Sequence, residues 1–397
     1  MRPSQSGRSE SAGYAALDGW RGICATLVAL FHFRVVWSIG VNSHFAHAAI
    51  VKNASLFVDF FFVLSGFVIA YRYRDGLTAR TIRLRDFLVL RLGRLYPLHL
   101  FTLLLCLALV LFFRYGTHGA DHVTWSGDDV TPVAFVVNLF LAQGLHILTG
   151  PSWNHPSWSI SAEFATYFVY AVLWIRLGSR TWIATTLILV VAPVVVLGLI
   201  GNNIDVTYDW GFVRSMLGFA LGTVAFSVSR HVRVRALLDR LTRAESTIVE
   251  AVLLALTYAF VVFAADTPYS FAAPFLFAGV VLVFSEERGA VTAALISRPL
   301  QSLGRLSYSI YMLYFPLQVA MTYAAVELGR AGWLSLFALQ RDANGPPSAV
   351  LGRSLWAGDV ATILMLGLLF GGSVLTYRWV EQPWRERARR LVQRKSA

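Results

Sequence analysis

The sequence predicts an all-α, polytopic membrane protein of about ten transmembrane helices, with one further re-entrant or interfacial apolar segment. Three observations carry that prediction. Of 397 residues 56% are hydrophobic and only 14% charged, and the mean hydropathy of +0.60 lies outside the range of soluble domains. The apolar residues gather into eleven segments of membrane-helix length or close to it. The arginines fall in the short stretches between them, so topology explains a net charge of +12 better than nucleic-acid binding does.

Taken in order, the chain opens with a polar tail, 1–16, before a span too long for a signal-peptide core, which reads as a retained signal anchor. Candidate spans follow at about 20–39, 56–72, 95–113, 133–148, 158–175, 181–200, 211–229, 247–265, 270–285, 306–326 and 359–379. If all of them crossed, the two basic tails would end on opposite sides and Arg176 and Arg180 would face outward. Making 133–148 re-entrant or interfacial removes the conflict. Both termini then lie in the cytoplasm, as expected of an inner-membrane protein. The cytoplasmic face collects the first tail through Arg21, the loops 72–94, 230–243 and 285–305, Arg176 with Arg180, and Arg378 with the last tail. Lys52, Arg114, Arg330, Arg341 and Arg353 stay outside, and Arg34 and Arg214 sit in the outer parts of spans. One membrane domain, 17–385, and a basic tail, 386–397, are expected. No fixed-period repeat is present, and the Pro/Gly-rich loop 341–352 is too short to act as a linker between domains.

Cys24 and Cys106 lie inside apolar spans, so neither a disulfide framework nor a zinc site is expected. His118 and His122 have the H-x-x-x-H spacing, but sit in an outer loop beside Asp121, and no metal is implied.

The ionisable residues within the apolar segments sort by depth. In 17–33 only Asp18, Arg21 and His32 charge near neutral pH. Arg21 and His32 share one helical face roughly 16 Å apart along the axis, one at the surface and one near the midplane. A charged histidine there costs on the order of 2 to 3 kcal/mol, which marks His32 as a site residue; a hydrogen bond to a neighbouring helix is the structural alternative. The loop 72–94 carries seven arginines, of which Arg91 and Arg94 share a face at i and i+3. Guanidinium forks suit a phosphorylated cytosolic ligand, and lipid phosphates would select the same charges.

The stretch 151–163 lies on the other side of the membrane or enters from it, with two prolines and two tryptophans fixing a rigid turn. Glu163, one turn into the next segment, reads as a base or acceptor for an alcohol, as an orienting partner for His32, or as half of an ion pair with Arg34 or Arg214. Trp153 and Trp158 suit either a sugar ring or the interfacial belt. Asp59 is expected to pair with Arg34, and Ser65-Gly66 to permit close helix packing. His99 ranks below His32, and Ser161 lacks a nucleophile-elbow spacing.

With these residues in hand, the chain resembles the acyltransferase-3 family of integral membrane proteins. The resemblance rests on Arg21 followed by His32, on Phe61-Phe62-Val63-Leu64-Ser65-Gly66-Phe67, on Arg91-x-x-Arg94 with Pro97, and on Pro156-Ser157-Trp158-Ser159-Ile160 with Glu163. It continues in Ser307-Tyr308-Ser309-Ile310-Tyr311 with Pro316 and ends in Glu381-Gln382-Pro383. Two departures bear on acceptor choice or packing: Tyr314 stands where the late motif usually has a histidine, and a double proline is split into Pro151 and Pro156.

The resemblance implies transfer of an acyl group, usually acetyl from acetyl-coenzyme A, to a carbohydrate hydroxyl in a surface polysaccharide or its lipid-linked precursor. It implies that Arg91 and Arg94, with Arg21, hold the coenzyme A phosphates at the cytoplasmic face. His32 would act as general base or carry the acyl group, with Glu163 as the second catalytic residue. The acceptor would arrive from the outer side near Trp158, Ser159, Asp59 and Arg34. No tightly bound cofactor is implied; acyl-CoA, the carbohydrate and membrane lipid are the expected partners. Acylation of a small glycosylated metabolite, a glycolipid transporter or flippase, and a non-enzymatic scaffold are the competing readings. The transporter's cue, two pseudo-symmetric halves with matching broken helices, is missing from the sequence.

Overall fold

The computed structural model describes residues 13–34, 39–116, 130–177, 182–332, 336–340 and 348–394. The tail up to residue 12, the His118–His122 pair with Asp121, Arg180, and most of the loop 341–352 lie outside them. The principal helices, numbered here in chain order, are α1 (Ala15–Arg34), α2 (Phe57–Ile69), α3 (Leu84–Gly116), α4 (Pro132–Leu139), α5 (Trp158–Leu177) and α6 (Trp182–Ile200). They continue as α7 (Gly211–Ser229), α8 (Arg243–Ala264), α9 (Ala273–Phe284), α10 (Arg298–Arg330), α11 (Leu355–Thr376) and α12 (Gln382–Gln393).

Among the described residues seven helical stretches are long and apolar enough to cross a membrane: those containing α2, α3, α5, α7, α8, α10, and α11 continued through α12. Two apolar helices, Thr186–Ile200 and Pro268–Phe284, are shorter. Although α1 has 20 residues, its charged side chains dilute its hydropathy. It is tolerated because the helix is largely buried against α10 rather than in lipid. The segment 133–148 does not form a spanning helix. At 1.5 Å per residue the eight residues of α4 cover about 12 Å, far short of a bilayer core. Irregular backbone then runs to Trp158, its polar groups taken up inside the protein: Asn138 Nδ2 donates to Ser152 Oγ at 2.8 Å, and Asn154 Nδ2 donates to the Met312 carbonyl at 3.1 Å.

A small sheet departs from the all-helical expectation. Three short strands, β1 (Ile39–Val41), β2 (Phe337–Gln340) and β3 (Ser348–Leu351), form it in the order β1-β3-β2, with β1 parallel and β2 antiparallel to β3. The end of the loop expected at 341–352 is therefore a strand, tying the exit of α1 to the entry of α11.

Two helix pairs hold the centre, α1 with α10 and α2 with α7. Both rely on glycine for backbone contact. A Cβ at Gly304 would stand 2.2 Å from the Asp18 carbonyl oxygen, and one at Gly222 would stand 1.9 Å from that of Val63. Gly218 and Gly222 make a small-xxx-small interface, which drives association where lipid removes the hydrophobic term. Gly66 packs the same way against Phe219, as expected from sequence. Gly222→Leu should therefore separate α2 from α7 and destabilise the protein by about 1 to 3 kcal/mol. A lowered thermal midpoint in nanodiscs is the expected reading; an unchanged midpoint would contradict this packing account.

Two π-helical turns, Ala70–Arg74 after α2 and Tyr377–Glu381 after α11, interrupt the helical register. Both place side chains at the cavity described next, the common setting of π-bulges.

Candidate active site

A cavity of about 460 Å³ opens between α1, α2, α3, α5 and α10, bounded also by the turn Tyr377–Glu381. Its walls follow helical spacing. From α5 come Ser159, Glu163 and Tyr167 at i, i+4 and i+8; from α10, Ser307, Tyr308 and Tyr311; from α3, Arg91 and Arg94; from α1, Asp18 and Arg21. Arg305 and Arg385 add to the cationic wall.

The cavity wall holds its charged side chains through specific partners. Arg21 donates to Asp18 Oδ1 and to Ser307 Oγ, both at 2.9 Å. The buried Arg91 donates to the Tyr73 hydroxyl at 2.9 Å, and Tyr73 belongs to the first π turn. The second π turn supplies Glu381, a carboxylate only 1% exposed, which accepts from Arg385 at 3.2 Å and from Ser309 at 3.4 Å. Deeper in, Glu163 Oε1 accepts from two hydroxyls, Ser65 and Tyr167. Among the described residues no protein donor reaches its other oxygen.

His32 sits apart, half-buried and outside the cavity lining. Its Nδ1 lies 2.8 Å from the Val28 carbonyl oxygen. A carbonyl only accepts, so Nδ1 carries a proton, and in the neutral ring the lone pair is then on Nε2. The ring stacks on Tyr314 with centroids 4.5 Å apart, and Tyr314 in turn meets Tyr311 edge-on at 5.9 Å. Tyr311 lines the cavity and shares a 2.9 Å hydrogen bond with Ser159. Two aromatic rings on successive turns of α10 thus connect the cavity to His32.

Several sequence expectations need correcting. Asp59 does not pair with Arg34. Both its oxygens are taken by Arg214, at 2.9 and 2.8 Å, in a pair with no solvent exposure, and Arg214 also donates to Asp205 at 2.8 Å. Glu163 pairs with neither Arg34 nor Arg214; two hydroxyls bond its Oε1 instead. Nor is it remote from Arg91 and Arg94, because α5 directs it into the cavity that both also line. Trp158 is buried between Phe62 and the Arg214 guanidinium rather than in the cavity wall. Arg34 closes α1 away from the cavity. His99 is a structural residue, bonded through Nε2 to the Asn138 carbonyl at 2.8 Å.

Sequence reasoning does not single out Ser65, Tyr167, Tyr311, Arg305, Arg385 or Glu381 as site residues. Tyr167 is nonetheless legible, since it repeats the spacing of Ser159 and Glu163 on α5. Glu381 has only its place in a terminal Glu-Gln-Pro as a signal.

A bundle of membrane-length helices enclosing a cavity lined by arginines and carboxylates, with a histidine beside it, defines a multi-pass membrane protein with a charged internal site. Comparison with known proteins narrows this. A family described as an acyltransferase domain matches residues 14–378. Acyltransferase MdmB of Streptomyces mycarofaciens is 36% identical over 128 residues, 32% of this chain and 30% of that protein. Protein 2 in the picA locus of Rhizobium radiobacter is 31% identical over 195 residues, 46% of this chain and 93% of that protein. No solved structure matches. The chain belongs to the acyltransferase-3 family, enzymes that transfer acyl groups.

Proposed function

We propose that the protein moves an acetyl group from cytoplasmic acetyl-coenzyme A to a carbohydrate hydroxyl of a surface polysaccharide or its lipid-linked precursor. The observation that carries this reading is the single cavity with Arg21, Arg91 and Arg94 in its wall and Glu163 within it. Guanidinium groups already oriented by Asp18, Ser307 and Tyr73 suit the diphosphate and 3′-phosphate of the donor. The pantetheine arm would run along the Tyr308–Tyr311 face towards His32.

There the unprotonated Nε2 removes the proton from the acceptor hydroxyl as the oxygen attacks the thioester carbonyl. The C–S bond breaks, the acyl group is left as an ester, and the coenzyme A thiolate takes up a proton. Glu163, whose second oxygen meets no donor among the described residues, would orient a hydroxyl or carry the proton onward.

Ten crossings with both termini in the cytoplasm complete the reading: the seven long helices, α1, and the two shorter apolar helices, in an inner membrane. That topology puts Arg91, Arg94 and the cavity mouth on the side where acyl-CoA is found.

The test is thiol release from acetyl-coenzyme A by purified protein in nanodiscs, together with coenzyme A binding. Replacing both Arg91 and Arg94 by alanine should weaken coenzyme A by about tenfold or more, given the worth of charge-assisted hydrogen bonds. Unaltered affinity would remove these residues from donor binding. Absence of both binding and thiol release in the unaltered protein would end the acyl-CoA reading.

A further inference from the structure

A second groove, of about 480 Å³, lies apart from the cavity, between α12 and the first half of α3. Its walls are almost wholly apolar: Leu92, Tyr96 and Pro97 from α3 face Trp384 and Leu391 from α12. On α12, Trp384, Ala388 and Leu391 recur at i, i+4 and i+7 and so share one face. Ala388 is buried on Gly93, where an added Cβ would stand 2.3 Å from that of Ala388, which fixes α12 on α3 at that point. Trp384 and Leu391 nonetheless remain 48% and 55% exposed.

The rim carries three guanidinium groups, Arg387, Arg390 and Arg394. Arg387 lies over the Trp384 ring at 5.0 Å, and Arg390 meets Glu386 only at 3.7 Å. An apolar slot with a cationic rim matches an amphiphile with a long apolar tail and an anionic head. The helix that bears it is the last part of a membrane-length helical stretch, Leu355–Gln393, so the slot stands where bilayer lipid is at hand. Coenzyme A is anionic too, but has no hydrocarbon chain to cover these walls.

We propose that this groove binds an anionic phospholipid of the surrounding membrane, its phosphate on Arg387, Arg390 and Arg394 and one acyl chain along Leu92, Tyr96, Trp384 and Leu391. The site is independent of the acyl-transfer reading and uses none of its residues.

Delipidated protein in a neutral detergent, titrated with phosphatidylglycerol or with phosphatidylcholine of the same chains and followed by native mass spectrometry, tests it. Phosphatidylglycerol should bind at least about tenfold more tightly, since each basic group near a membrane surface contributes several-fold. Replacing Arg387, Arg390 and Arg394 together by glutamine should bring phosphatidylglycerol to the level of phosphatidylcholine. Leu391→Asn, which leaves every arginine and the Gly93–Ala388 contact intact, should weaken both lipids. Equal binding of the two lipids by the unaltered protein would overturn the proposal. So would phosphatidylglycerol binding that survives the glutamine substitutions, or that ignores Leu391→Asn and is displaced by free coenzyme A, which would return the arginines to the donor.

Discussion

His32→Ala is expected to abolish acyl transfer while leaving coenzyme A bound. Loss of a general base slows a reaction by about 10² to 10⁴-fold. The arginines that would hold the donor belong to α3 and to the far end of α1, so truncating the ring should not disturb them. His32→Gln supplies the control: it can still fill the space beside Tyr314 and donate to the Val28 carbonyl, but has no basic nitrogen. Both variants should therefore be inactive, fold normally and bind coenzyme A with the unaltered affinity. Measured as thiol release with and without a carbohydrate acceptor, activity in His32→Gln near that of the original protein would show that the histidine only fills space.

Arg214→Met should be the most damaging single change to stability. Arg214 is fully enclosed, makes two hydrogen bonds to Asp59 and reaches Asp205 and the Val206 carbonyl. Removing it leaves the Asp59 carboxylate buried and uncompensated, at a cost of about 3 to 5 kcal/mol. Most of that cost should vanish when Asp59→Leu is combined with Arg214→Met, because the pair leaves together and Asp205 is exposed enough to be hydrated. Thermal unfolding of the two single variants and the double variant in the same lipid makes the comparison. A double variant no more stable than Arg214→Met would mean that the arginine acts through Asp205 instead.

What the sequence makes legible is whatever repeats within one helix. The apolar segments, the shared face of Arg21 and His32, the i, i+3 pair of Arg91 and Arg94 and the non-crossing segment after 133 follow from spacing and charge alone. Pairings between helices do not. Arg34 and Arg214 are equivalent partners, on sequence, for a carboxylate at mid-depth, and only the close seating of α2 on α7 through Gly66, Gly218 and Gly222 brings Asp59 to Arg214. The surroundings of Glu163 escape sequence for the same reason: on sequence 151–163 is expected away from Arg91 and Arg94, whereas α5 turns Glu163 into the cavity that they line. The strands β1 and β3 are short, far apart in the chain and visible only once α1 and α11 both pack on α10.

The hydrogen bond from His32 to the Val28 carbonyl has a consequence for how the protein can change. Its acceptor is main chain, and main chain is the same whatever side chain residue 28 carries. Point mutation can remodel Tyr314, which stacks on the ring, or Gln318, which donates to the His32 carbonyl, without removing the acceptor that fixes the Nδ1 proton. On the proposed mechanism, lineages can diverge in what they acylate while the proton-accepting atom stays unaltered.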